Sequence, residues 1–204
     1  HRDLHSFPTR RSSDLDWTFF DTMKPGVLRA VKFLESQRTM AVKEGGSLGH
    51  YGLLAKGFCD GGIDGIRPEL TNTVWVLAGL KALTDIVERR RLDGFDSAIR
   101  LYDDLRQSFL KAAEQEKRRH ADGFYYLHML LAEDPQWQAK EGWALPRPQS
   151  AQWALSHAIF PGLVFEPEHW ITQGHNALMQ SCVREQVPAD RKSTRLNSSH
   201  RIRS

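Results

Sequence analysis

The chain has 204 residues, with 28 Lys and Arg against 25 Asp and Glu, two cysteines and a mean hydropathy of −0.50. No apolar run approaches the roughly 18 residues of a membrane span, so no membrane partner is expected. Cys59 and Cys182 lie far apart without ligand spacing, which points to neither a disulfide framework nor a zinc site.

The pI near 9.0 comes from the ends. Asp190–His200, DRKSTRLNSSH, and His5–Leu15, HSFPTRRSSDL, read as translations of two opposite sequencing-library adapters. The expected organisation is therefore an adapter-derived tail at 1–15, a biological insert at 16–189 and a second adapter-derived tail at 190–204. The tails carry three and five basic residues against two and one acidic, which leaves the insert 20 basic and 22 acidic. Charge gives no warrant for a nucleic-acid partner. The insert is expected to be an internal piece of a longer protein that is inactive by itself. The compartment stays open, cytoplasmic or exported.

In chain order, Lys24-Pro25 predicts the start of a first helix, proline suiting the first helical position. Val27, Leu28, Val31 and Leu34 recur at helical spacing, and Gly45-Gly46 ends the pattern. Residues 44–70 are rich in glycine and read as a long irregular segment, a kind that is usually functional when it is not disordered. A second helix is predicted over about Thr71–Arg91, with Thr71 or Thr73 as cap and Glu69 favouring the helix dipole. Val74, Trp75, Val76, Leu77, Ala78 and Leu80 are contiguous rather than striped, so this half is expected to be buried on all sides.

The third helix, about Asp96–His120, is amphipathic through Phe95, Ala98, Ile99, Tyr102, Leu105 and Phe109. Phe124–Leu131 is strand-like or a short apolar segment, and 133–149 reads as a loop. Ser150 predicts the cap of a fourth helix, Ala151–Phe160, and Pro167 the start of a fifth. Largely apolar helices alternate with amphipathic ones. This predicts an all-α fold in two concentric layers: part of an (α/α) barrel, two to three helical hairpins of it.

The stretch GLLAKGFCDGGIDGIRPELTNTVWVLAGL (Gly52–Leu80) and the later PRPQSAQWALSHAIFPGLVFEP together resemble the six-hairpin glycosidase superfamily. More closely, they resemble bacterial members with a GLLPPGFSDGG…PEYTNTYWTLAGL signature. The likeness covers roughly Gly52–Pro167; it departs at Ala55-Lys56, where the family has two prolines, and at Cys59, where it has serine. The resemblance implies an (α/α)6 toroid, a carbohydrate substrate and glycoside hydrolysis by a carboxylic acid and a carboxylate. In inverting enzymes these stand roughly 6.5–9.5 Å apart.

Asp60, in a glycine-rich loop, and Glu69, at the entry to the second helix, are the candidate catalytic residues; a turn role for Asp60 and dipole compensation by Glu69 stand beside that reading. Candidate substrate contacts are Asp64, Arg67, His50, Trp75, Gln152, Trp153 and His157; Asp64 also reads as a turn residue, and the tryptophans and His157 as core. No metal spacing, phosphate loop or nucleotide fingerprint occurs, so no cofactor is expected. A polysaccharide lyase on the same toroid and a glycan-binding or scaffold domain without turnover are the rival readings.

Overall fold

The computed structural model describes residues 17–58, 66–133 and 148–184, and over them the chain is mostly helical. Helix α1 spans Trp17–Glu44, 28 residues, about 42 Å at the standard rise. It begins about two turns before the predicted start, and Pro25 sits inside it. The loss of one amide donor at Pro25 is offset by side chains that anchor the early turns. Trp17 meets Phe20 edge-on at 5.9 Å, Phe20 meets Phe95 at 6.1 Å, and the Arg90 guanidinium lies 4.2 Å from the Trp17 ring. Lys24 Nζ donates to Asp93 O at 3.0 Å.

The segment expected to be irregular contains a short helix and a small ladder. Helix α2, Gly46–Tyr51, lies so close to α1 that a β-carbon at Gly49 would fall 2.4 Å from Ala41 O. Strand β1, Gly57–Phe58, then pairs antiparallel with β2, Ile66–Arg67, Gly57 opposite Arg67 and Phe58 opposite Ile66. Asp60 and Asp64, between these strands, lie outside the described residues.

Helix α3, Thr71–Arg90, is the hub: it packs against both α4, Asp96–Glu116, and α5, Gln152–Ile159. Leu70, Val74, Leu77 and Leu80 are buried on it, facing a core that includes Leu105, Phe109 and Leu155. Each such side chain contributes roughly 1.5–3 kcal/mol on burial. Helix α3 is nevertheless not buried all round. Trp75 is 40% exposed and Gly79 is exposed, because one flank faces open clefts rather than another helix.

Several predicted boundaries move. Helix α4 stops at Glu116 because Lys117–Arg119 turns extended as β3 and pairs with β4, Tyr125–Leu127, so the strand-like reading of this apolar segment holds for those residues. Neither threonine caps α3: Leu70 is its N-cap residue, and the Glu69 side chain does the capping described below. Ser150 does not cap α5, which follows Ala151 in the left-handed region (φ 58°). Helix α6, Trp170–Arg184, starts three residues after Pro167 and packs on β4 and α5. A β-carbon at Gly174 would lie 2.1 Å from Tyr125 O, so this contact demands glycine.

Two polar ties bind the elements. Pro68, Glu69 and Leu70 pair with 129–131: Leu70 N donates to Met129 O at 2.7 Å, Leu131 N donates to Pro68 O at 2.9 Å, and Glu69 bridges Leu130. The buried Glu116 carboxylate accepts from Tyr51 OH and from Ala132 N, each at 3.0 Å. Burial, then the Glu116 charge, pushes the Tyr51 phenol up to about 12.

An apolar cleft of about 480 Å³ opens between α1 and α3, lined by Val27, Val31, Leu34, Val76, Leu80 and Ile86 among others. Gly79 faces it, and a β-carbon added there would have nothing within 4 Å. Gly79→Ala should therefore stabilise the chain by about 0.5–1 kcal/mol through helix propensity. Gly174→Ala should destabilise it by about 1–3 kcal/mol through overpacking. Urea denaturation of the two variants checks both signs.

Candidate functional site

Glu69 is held at the entrance of α3 by the pairing of its neighbours to 129–131. It is only 3% exposed. Its Oε2 accepts from the Thr71 amide and the Thr71 hydroxyl, and its Oε1 accepts from Asn72 Nδ2 at 2.5 Å. The carboxylate thus satisfies amide and side-chain donors at the helix start, and its negative charge suits the positive end of α3. Burial pushes its pKa up from 4.5 to about 6, against the lowering effect of those same hydrogen bonds. A carboxyl poised there can hold a proton near neutrality, which is what a general acid requires.

Next to this entrance, a cleft of about 280 Å³ lies between α1, the 54–57 segment and α3; Phe33, Gln37, Gly57, Asn72 and Trp75 are among its walls. Glu69 does not line it, but Asn72, bonded to Glu69, does. Trp75 extends from this cleft onto an aromatic platform shared with α5. Its ring stacks on His157 at 4.9 Å and 28°, and lies 5.5 Å from Trp153 at 55°. Trp153 is 38% exposed, and His157 meets it edge-on at 6.2 Å. Two adjacent, partly exposed tryptophans are not core residues. They form a surface against which a flat apolar face can stack.

The structure therefore brings together Trp75, Trp153 and His157 where α3 meets α5, and Glu69 is linked to the neighbouring cleft only through Asn72. Arg67 stands across the ladder from Gly57, which lines the cleft; Arg67 itself does not. Gln152 and His50 stand apart from this group. Gln152 is buried, and its Nε2 donates to Leu127 O at 2.8 Å and to Pro148 O at 3.3 Å, so its amide buttresses β4 and α5 rather than meeting a ligand. His50 is exposed on α2, edge-on to Tyr51 at 5.6 Å, and does not line the cleft. The catalytic expectation for Asp60 and the binding expectation for Asp64 fall outside the described residues.

Two residues of consequence carry weak sequence signals. Asn72 hides in a run of helix-start residues, where an asparagine is unremarked. His175 sits on an amphipathic helix, and only the structure shows its partners. Because Gln152 spends its Nε2 as a donor, its Oε1 accepts from His175 Nδ1 at 3.0 Å. His175 Nε2 is then an acceptor 2.8 Å from Ser156 Oγ, whose one hydrogen is shared between that nitrogen and Gln152 O at 3.2 Å. The order serine, histidine, amide matches that of a nucleophile, its base and an orienting group. The histidine is nearly sealed, however, and Ser156 lies in the second half of α5, towards the negative end of the helix, which disfavours an oxyanion. Burial drives the His175 pKa down to about 4, so the ring is neutral and ties α5 to α6.

Among the described residues, no group of three or more His, Cys, Asp or Glu could hold a metal ion, and no helix is long and apolar enough to cross a membrane. Comparison with known proteins yields no relative: no family model, curated protein or solved structure matches the chain.

Glu69 and His175 act on stability with opposite signs. Folded Glu69 holds its proton more tightly than the unfolded chain does, so its contribution is lost as pH rises from 4.5 to about 6. Folded His175 holds its proton less tightly, so its contribution is lost as pH falls from 6.5 to about 4. Over pH 4.5–6 the two nearly cancel. Glu69→Gln should expose the histidine effect alone, a fall in stability approaching about 1.4 kcal/mol per unit of acidification, read from urea midpoints across that range.

Proposed function

We propose that the chain is part of a carbohydrate-active enzyme, a glycoside hydrolase of the (α/α)6-toroid kind, with its sugar site at the Asn72–Trp75–Trp153 end of α3 and α5. The observation that carries this reading is the paired tryptophan platform beside a cleft whose wall is bonded to a buried carboxyl. Pyranose rings present apolar faces that stack on indole, while their hydroxyls need polar readers such as Asn72 and Arg67. The packing order supports the toroid: α3 and α5 adjoin, α4 packs on α3, α6 packs on α5, and α1 packs on α4. Such an inner pair with outer neighbours is the packing that one arc of a two-layer helical ring would have.

In this reading Glu69 holds the proton that is delivered to the leaving oxygen, and Asp60 supplies the carboxylate that activates water. Inorganic help is not required by that chemistry.

A second reading, glycan binding without turnover, is favoured by one observation: among the described residues the Glu69 carboxyl bonds only to its near neighbours Thr71 and Asn72, and it does not line the cleft. Oligosaccharide titration monitored by tryptophan fluorescence, run beside an aryl-glycoside hydrolysis assay, separates the two. Trp75→Ala and Trp153→Ala should each weaken binding about tenfold or more, a loss on the order of 1.4 kcal/mol per platform residue. Asp60→Asn and Glu69→Gln should abolish hydrolysis while leaving binding intact. Hydrolysis in the unmodified chain rules out the second reading, and binding without hydrolysis favours it. An absence of any oligosaccharide binding removes both.

A further inference from the structure

We propose that Asn72 is the positioning residue of the Glu69 carboxyl, clamping it with one amide hydrogen bond while presenting the rest of its side chain to the cleft. Three observations converge on this residue. Its Nδ2 donates to Glu69 Oε1 at 2.5 Å. It lines the cleft between Gly57 and Trp75, whereas Glu69 does not. A β-carbon at Gly57 would come within 2.8 Å of that same Nδ2, so the amide is wedged between the base of the β1 strand and the buried carboxyl.

The other contacts of the carboxyl, the Thr71 amide and hydroxyl, arise from the start of α3 itself. Asn72 is the contact that joins the carboxyl to open space. Its side chain is an amide, which has no charge of its own to exchange for the proton of Glu69. It therefore sets the acid's geometry and proton affinity without competing for the proton. A glycine at position 57 lets the side chain reach both neighbours; any larger residue there pushes the amide off the carboxyl.

The link to Glu69 stands on this geometry, and only its catalytic meaning rests on the hydrolase reading above. The test is a pH titration of the Glu69 side-chain carboxyl by carbon NMR on the full chain with labelled glutamate, assigned by Glu69→Gln. Asn72→Ala removes a hydrogen bond to the ionised form and should move the Glu69 midpoint up by about one unit. Gly57→Ala, on a different element, should reproduce the direction of that shift by displacing the amide. If Asn72→Ala does not fold, Asn72→Asp keeps the side-chain shape and sets a second carboxyl beside Glu69, so the midpoint should again rise.

A Glu69 midpoint unchanged to within about 0.3 units in the folded variants, far less than a bond to a charged group is worth, overturns the assignment. If the unmodified chain hydrolyses a glycoside, the limb of its pH–rate profile lost in Glu69→Gln should shift with Asn72→Ala in the same direction as the NMR midpoint. For a chain that hydrolyses nothing, the titration alone decides the role of Asn72.

Discussion

The antiparallel clamp that pins 68–70 to 129–131 is the constraint on which the rest depends. Through Leu70 N to Met129 O and Leu131 N to Pro68 O, it fixes where α3 begins and from which direction the chain enters it. Since α3 packs on both α4 and α5, the clamp also fixes the hub of the core. Glu69 lies at the centre of that three-residue pairing. Its side chain turns towards the helix start and satisfies donors that would otherwise be buried without partners, a loss of roughly 1–3 kcal/mol each. A residue placed by main-chain bonds on both sides has little freedom to relax, which is the condition for a strongly perturbed carboxyl to persist.

The polar interior is divided between two kinds of work. On the α5–α6 side, Gln152, His175 and Ser156 form a closed chain in which each donor meets an acceptor and the proton order follows from one amide's commitments. It stiffens a junction. At the α3 entrance, the Glu69–Asn72 pair borders an open cleft and is asymmetric: the carboxyl is sealed, its partner is not. The same energetic principle, that a buried polar group must find a partner, yields a rivet in one place and a route to solvent in the other.

The helical character, the four longer helices and the importance of the α3 entrance are legible in the sequence, because apolar spacing and glycine punctuation report on them directly. Trp75 and Trp153 are readable as candidates through their similar early positions on two apolar helices. Their pairing across 5.5 Å is not, since it depends on how α3 and α5 pack. The start of α1 is hidden because aromatic and cation–π contacts outweigh what Pro25 signals locally. The fate of 117–119 is hidden for a similar reason: a basic run reads as a frayed helix end until its strand partner at 125–127 is in place. Gln152 misleads because an amide beside a tryptophan reads the same whether it points to a ligand or into the core.

The two-residue ladder between β1 and β2 has a consequence for how such a site can change over time. Gly57 opposite Arg67 and Phe58 opposite Ile66 bring both ends of the intervening segment, residues 59–65, back to one spot beside the cleft. The entropy of closing a segment between two paired strands rises only slowly with its length. The pairing of Gly57–Phe58 with Ile66–Arg67 therefore lets the sequence between them lengthen or change at small cost to the helical scaffold.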